Sequence, residues 1–337
     1  MNVKKAFAVL LCCGAVLQLS GCSLFGGDEG SSEAVGDSEL LSQIESLQNE
    51  VSSLKEETVP NIGYRDKSDY LLGKDNPAVS EAVEEKEKAM AELPATITIK
   101  GTEYSTDLTS LTLSNMDLTD DDIKELKYMV NLTELQIYQN KITDLSPLKG
   151  LTSLKNLSLF KNEISDLTPI AGLVGLESLY LRSNNITDIS PIDGLVNLKS
   201  LDLSENNIED ITPLAEMREI TLLRINDNNI SNISALGSMS GMQRLHMQNN
   251  RISDITPVIN MVELNELYMQ NNAIESIEPI MSLTSIEWLR IGDNPISSVR
   301  PAASLTALKK LYMENITVDD ETMAYLKEQL PDCTFVT

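Results

Sequence analysis

From Leu132 onward the apolar positions of this chain recur every 22 residues. The units begin at Leu132, Leu154, Leu176, Leu198, Ile220, Met242, Leu264, Ile286 and Leu308. The fourth position of every unit is leucine, from Leu135 to Leu311, and the ninth is asparagine in all but the last, from Asn140 to Asn294. A fixed period in this range marks a solenoid, in which each unit buries its apolar face only by stacking on its neighbours.

Each part of the unit has a physical reading. Positions four and six are apolar with polar residues between them, the alternation of a short strand with one buried face. Such strands pair in parallel from coil to coil. At position nine the chain turns inward, where an asparagine amide offers two donors and an acceptor to bent backbone and repeats that role in each coil as a ladder. The return leg, as in Asp188-Ile189-Ser190-Pro191, predicts a short 3₁₀ helix with Ser or Thr as its cap and Pro in its first turn.

This pattern resembles the leucine-rich repeat, and the stretch LDLSENNIEDITPLAEM ending at Met217 looks most like the internalin-type class of bacterial surface proteins. The resemblance runs from Leu108 to about Asn315. It implies an α/β solenoid, a leucine-rich repeat horseshoe with the parallel β-sheet on its concave face, and protein partners. Departures are mild: Ala235 stands in one proline slot, and methionine replaces leucine in the later units, where it reads as core filler.

Terminal coils need caps. Residues 96–131 read as an N-terminal cap and irregular first repeat. It comprises a hairpin, TITIKGTEYS, turning near Gly101, and a capping box at Thr119-Asp120-Asp121-Asp122 leading into a helix. Residues 132–315 are the repeats. Residues 316–337 form the C-terminal cap, with a helix after Asp319-Asp320 and a closing strand at CTFVT, where Cys333 packs.

Alternation also says which side chains look outward. Strand positions three, five and seven point away from the core onto the concave face. Seven aromatic residues lie between Leu108 and Asn315, and six occupy those slots: Tyr138, Phe160, Tyr180, Tyr268, Trp288 and Tyr312. Arg182, Arg224, Arg244 and Arg290 join them, with His246 and Lys310. Aromatics and arginine dominate binding hot spots, so these twelve residues form the candidate partner-binding surface. They divide into an N-terminal patch, Tyr138 to Arg182, and a larger C-terminal one, Arg244 to Tyr312, and lateral pairs are expected between coils, Asp202 with Arg224 and Arg244 with Glu266. A plainer reading stands beside this one: side chains in coils about 4.8 Å apart can simply stack on one another.

Upstream of the repeats the pattern changes. Residues 1–21 carry Lys4 and Lys5, then an apolar run too short to span a bilayer, and read as a signal peptide. Leu19-Ser20-Gly21-Cys22 resembles the lipobox of bacterial lipoproteins, which implies cleavage before Cys22 and lipidation of its thiol. The acyl chains would anchor the protein to a membrane without crossing it. Residues 22–38 form a Gly-, Ser- and acid-rich tether. Residues 39–56 read as a short heptad helix with Leu40, Ile44, Leu47, Val51 and Leu54 at alternating spacings of four and three. It serves either as a coiled-coil stalk, making a homo-oligomer through residues 40–54, or as an amphipathic helix lying on the folded domain or on lipid. Residues 57–95 are linker and a charged helix.

Composition then removes whole classes of function. With 51 acids against 26 bases the net charge is −25, and loss of Lys4 and Lys5 with the leader makes it −27. Such a surface repels phosphate polymers, so no nucleic-acid partner is expected. Four cysteines and one histidine supply neither a disulfide framework nor a metal-ligand set, no nucleophile, base and orienter converge, and no cofactor is called for. The expectation is a non-enzymatic, lipid-anchored module of the bacterial cell envelope facing away from the cytoplasm, with a protein ligand. Envelope glycan binding, or service as a structural subunit of an envelope complex, is the alternative.

Overall fold

The computed structural model describes residues 76–337. The leader, the lipobox at Cys22, the tether and the heptad segment therefore lie outside the described residues.

Helix α1 (Pro77–Ala91) opens the described chain, its first turn closed by Asn76, whose Oδ1 accepts from the Ala78 amide at 3.1 Å. Strands β1 (Thr96–Ile99) and β2 (Thr102–Ser105) make the expected hairpin. Both turn residues, Lys100 and Gly101, hold positive φ, as a tight turn matched to strand twist requires. An 11-stranded sheet follows. It starts at β3 (Ser110–Thr112) and continues through β4 to β8 at Glu134–Gln136, Asn156–Ser158, Ser178–Tyr180, Ser200–Asp202 and Leu222–Arg224. It ends with β9 (Arg244–His246), β10 (Glu266–Tyr268), β11 (Trp288–Arg290), β12 (Lys310–Tyr312) and β13 (Thr334–Val336). Neighbours in sequence are neighbours in the sheet, and the pairing is parallel throughout.

The position-four leucines pair with one another in register, Leu267 with Leu245 and Leu289, for example, so they stack as one buried rank. Each return leg is a 3₁₀ turn such as Ser190–Ile192. Fully burying a side chain of this size contributes about 1.5–3 kcal/mol, and that apolar spine is what holds coil to coil.

The asparagine ladder forms as the pattern predicted. Asn206 donates to the carbonyls of Leu181 and Leu203 at 3.0 and 3.1 Å and accepts from the Ile186 amide at 3.0 Å, tying its own coil to the one before it. Asn162, Asn184 and Asn294 repeat the arrangement. The residue before each ladder asparagine sits at positive φ although none is glycine: Gln139, Lys161, Ser183, Glu205, Asp227, Asn249, Asn271 and Asp293. Ladder bonds on the next residue hold these otherwise disfavoured conformations.

Two local expectations need correction. Serine and threonine do not cap the return legs; they lie inside them, and the aspartate two residues earlier does the capping. Asp188 Oδ1 accepts from the Ser190 amide at 2.8 Å, as Asp144, Asp166, Asp210 and Asp254 do in their coils. A short carboxylate reaches the amide two residues on, which is the Asx-turn geometry. Thr119 and Asp122 do bond to each other, but they lead into only a 3₁₀ segment, Lys124–Tyr128, while Asp120 turns to bind Thr143 and Asp144 of the next coil. At the other end the cap is as expected: Asp319 accepts from the Thr322 amide at 2.6 Å and starts α2 (Asp320–Gln329), and β13 closes the sheet.

Helix α1 lies on the return-leg side of the early coils. A Cβ added to Gly172 would meet the Ala78 carbonyl oxygen at 2.2 Å and the Ala82 Cβ at 2.6 Å, and one added to Gly150 would meet the Lys86 amide at 2.8 Å. Lys86 Nζ bonds to Ser153 at 3.0 Å, and Lys149 Nζ lies 2.5 Å from Glu81. Val83 and Met90 of α1 stay exposed, while Val79 is half-buried.

Candidate binding face

Because side chains alternate across a strand, the first and third residues of each three-residue strand stand on the open face of the sheet while the leucine between them is buried. Parallel, in-register pairing turns these slots into ranks. One rank runs Arg244, Glu266, Trp288, Lys310; the other runs Arg224, His246, Tyr268, Arg290, Tyr312. The sole tryptophan is 38% exposed.

From His246 to Tyr312 the second rank is a continuous stack. The His246 and Tyr268 rings lie 4.4 Å apart at an interplanar angle of 10°. The Arg290 guanidinium carbon sits 4.8 Å from the Tyr268 ring centre and 4.1 Å from that of Tyr312, so it is held between two rings. Lys310 Nζ approaches Tyr312 at 4.5 Å, and Lys309 approaches Trp288 at 5.5 Å. Coils are spaced close to the thickness of a ring or a guanidinium plane, so planar side chains at successive coils stack face to face. In the N-terminal patch Tyr138 and Phe160 stack at 4.2 Å, and the Tyr180 hydroxyl lies 3.4 Å from Ser200 Oγ.

Charges separate the two patches. Arg182 pairs with Glu205, which also accepts from the Ser183 hydroxyl, and that pairing raises the Arg182 pKa and lowers that of Glu205. Arg224 Nη1 lies 3.9 Å from Asp202. Arg244 was the natural partner of Glu266 by register, yet among the described residues no carboxylate lies within 4.0 Å of it. Glu266 turns instead to His246, with Oε1 3.1 Å from Nε2. Burial lowers the His246 pKa against the pull of that carboxylate, so the imidazole is neutral at pH 7. Burial also raises the Tyr268 hydroxyl, to about 12, whereas the hydrogen bond to Lys310 lowers that of Tyr312.

Among the described residues four buried side-chain polar atoms have no hydrogen-bond partner: His246 Nε2, whose approach to Glu266 is off the bonding direction, Gln248 Oε1, Gln270 Oε1 and Arg290 Nε. All four stand on this one stretch of sheet face. An unmet buried polar group costs about 1–3 kcal/mol, so the C-terminal patch is the least self-satisfied polar surface of the fold. Alternation alone placed the ranks, but Gln248 and Gln270, at position seven, were missed because neutral amides carry no signal in composition.

Among the described residues no group of three or more His, Cys, Asp or Glu side chains is placed to hold a metal ion, and no helix is long and apolar enough to cross a membrane. Cys333 is half-buried against the cap, and burial pushes its thiol up to about 11.

The sheet, the ladder and the 3₁₀ return legs together define a leucine-rich repeat solenoid. The family described as Leucine Rich repeats (2 copies) matches residues 130–172, 174–216 and 240–280, and the chain belongs to the leucine-rich repeat proteins. It is similar to the solved structure of an internalin (inlF) from Listeria monocytogenes, at 23% identity and a TM-score of 0.51, covering 82% of this chain and 92% of that one. Internalin C2 of the same organism is 31% identical over 69% of this chain and 90% of its own, with a TM-score of 0.47. A plant peptide hormone receptor, RGFR1, solved in complex with RGF2, is 18% identical with a TM-score of 0.55 over 62% of this chain and 36% of the receptor chain. No curated protein matches the sequence.

Proposed function

We propose that this chain is a recognition module of the bacterial cell envelope, held to a membrane by lipid on Cys22 and binding a protein through the open face of its sheet. It is a binding protein, not an enzyme. The observation that carries the reading is the concentration of rings and guanidinium groups on that face, six of the seven aromatics between Leu108 and Asn315, in a chain only 4% aromatic. These residue types supply large contact area with directed hydrogen bonds at little entropic cost. The likeness to internalins and to a receptor solved with its peptide supports the same reading.

Stacking also favours protein over glycan. Sugars bind aromatic platforms by the ring face, and here the faces of Tyr138, Phe160, Tyr268 and Tyr312 are turned to other side chains of this protein. Ring edges, hydroxyls and guanidinium forks are left to the visitor, and they suit a polypeptide surface.

Affinity capture from envelope extract with the parent protein and a Tyr268→Ala, Trp288→Ala, Tyr312→Ala variant tests this. The parent is expected to retain one or more proteins that the variant loses. Equal capture by both overturns the assignment of the site.

A further inference from the structure

We infer that the C-terminal patch recognises an acidic, extended segment of its protein partner, engaging carboxylates through Arg244, Arg290 and Lys310. This inference rests on the protein-binding reading above and gives that partner a chemistry.

In a chain with 51 acids to 26 bases, a cation on the surface ordinarily has an acid beside it. The face outside this patch obeys that rule: Arg182 is tied to Glu205 and Arg224 to Asp202. Among the described residues Arg244, Arg290 and Lys310 have no carboxylate within 4.0 Å. The one acid between them in the rank, Glu266, is turned toward His246.

Arg290 carries the argument furthest. Clamped between Tyr268 and Tyr312, its guanidinium cannot fold back toward an acid of its own coil, and its Nε has no hydrogen bond. Rings on both faces leave the N–H groups directed along the plane, which is how a guanidinium accepts a carboxylate in fork geometry. The stack thus holds a fork in place ahead of binding, with little side-chain freedom left to lose.

Spacing defines the ligand more closely. Arg290 and Arg244 are two coils apart and two residues apart along the strand, about 12 Å at the usual strand spacing and rise, and an extended peptide covers that distance in about three to four residues. Lys310 lies diagonally across the next strand from Arg290, about 7–8 Å away, which is about two residues of extended chain. Three carboxylates within about six residues satisfy all three cations, and Trp288, between Glu266 and Lys310 in the rank, packs on what lies between. The net negative charge does not forbid this. At physiological ionic strength distant charges are screened beyond about 8 Å, so the local cations decide the encounter.

Trp288 is the only tryptophan in the chain, so the emission of the purified full-length protein reports on this patch alone. The probes are a Gly/Ser hexapeptide with Glu at positions one, three and six, its Gln and Lys analogues, and polygalacturonate as an anionic glycan. The Glu peptide is expected to give a saturable change in about 0.15 M salt, with the Gln analogue at least tenfold weaker. Arg290→Gln is expected to weaken the Glu peptide about tenfold and Lys310→Gln about threefold, whereas Arg218→Gln, at a cation paired with Glu216 away from the open sheet face, leaves it unchanged. Arg290→Lys, which keeps the charge and loses the fork, should fall between. Unchanged melting temperatures exclude misfolding as the cause.

No saturable change with the Glu peptide overturns the inference, as does binding of the Gln or Lys analogue as tight as that of the Glu peptide. Saturation by polygalacturonate alone overturns it in favour of an anionic glycan. Failure here with capture still lost in the triple-alanine variant removes only the acidic chemistry; capture that survives in that variant removes the protein-binding reading itself.

Discussion

Replacing Gly172 by alanine should detach α1 from the solenoid. The new methyl would lie 2.2 Å from the Ala78 carbonyl oxygen and 2.6 Å from the Ala82 Cβ, against about 3.5–4.0 Å for comfortable carbon contacts. Neither neighbour is the end of a flexible side chain, so relief requires the whole helix to move by more than an ångström. Overpacking of this kind costs about 1–3 kcal/mol. The cost cannot exceed what holds α1 down: burial of Ala82 and Ala89, the Lys86 bonds to Thr152 and Ser153, and the Lys149–Glu81 pair. Hydrogen exchange of the full-length protein should show the α1 amides losing about tenfold to a hundredfold in protection, at 1.4 kcal/mol per decade, while those of the coils from Ile220 onward stay unchanged. Gly237 supplies the control. A Cβ there meets only the Pro257 Cβ at 4.0 Å, and its φ is ordinary, so Gly237→Ala should be neutral or stabilise by up to about 1 kcal/mol. Undiminished α1 protection in Gly172→Ala, or greater damage from Gly237→Ala, refutes the close packing argued from these contacts.

Other outcomes follow from the ladder and the stack. Asn206→Ala removes the acceptor of the Ile186 amide and the donors to Leu181 and Leu203, leaving buried groups unmet, and should destabilise by about 3 kcal/mol in denaturant melts; a loss below about 1 kcal/mol would mean the ladder is ornamental. His246 titrates below its ordinary 6.5 in the fold, so the unfolded chain gains a proton first as pH falls. Its contribution to stability is therefore complete above pH 6.5 and is lost as pH drops from there through the lowered folded value. Removing it by His246→Gln should shrink the fall in melting temperature between pH 7.5 and 5.5, and an unchanged fall contradicts the burial. Trp288 emission should be red-shifted and readily quenched by iodide, since the ring is 38% exposed; a blue, shielded band would contradict the register.

Much of this architecture was legible because a repeat states each physical requirement many times over. A single Leu-x-Leu alternation is ambiguous, whereas nine in register fix the buried face, and with it the outward placing of Trp288 and its companions. The docking of α1 was not legible in that way. Its contacts are made by small residues, Ala78 and Ala82 against Gly172, whose side chains give the weakest apolar signal, while Val83 and Met90 of the same helix are exposed. Positive φ before each ladder asparagine was hidden because the usual marker, glycine, is absent there. The partners of the face residues were half legible: Asp202 and Arg224 meet as register neighbours on adjacent strands, while Glu266 leaves Arg244 for His246, a choice set by side-chain reach and burial that spacing does not encode.

Photo-crosslinking in intact cells tests the central claim most directly. A photoreactive residue is placed at Tyr312, on the open sheet face, and in a second strain at Ile259, an exposed apolar position on the return-leg side. One discrete protein adduct from Tyr312 and none from Ile259 is the expected result, whereas an adduct from Ile259 alone would contradict the account.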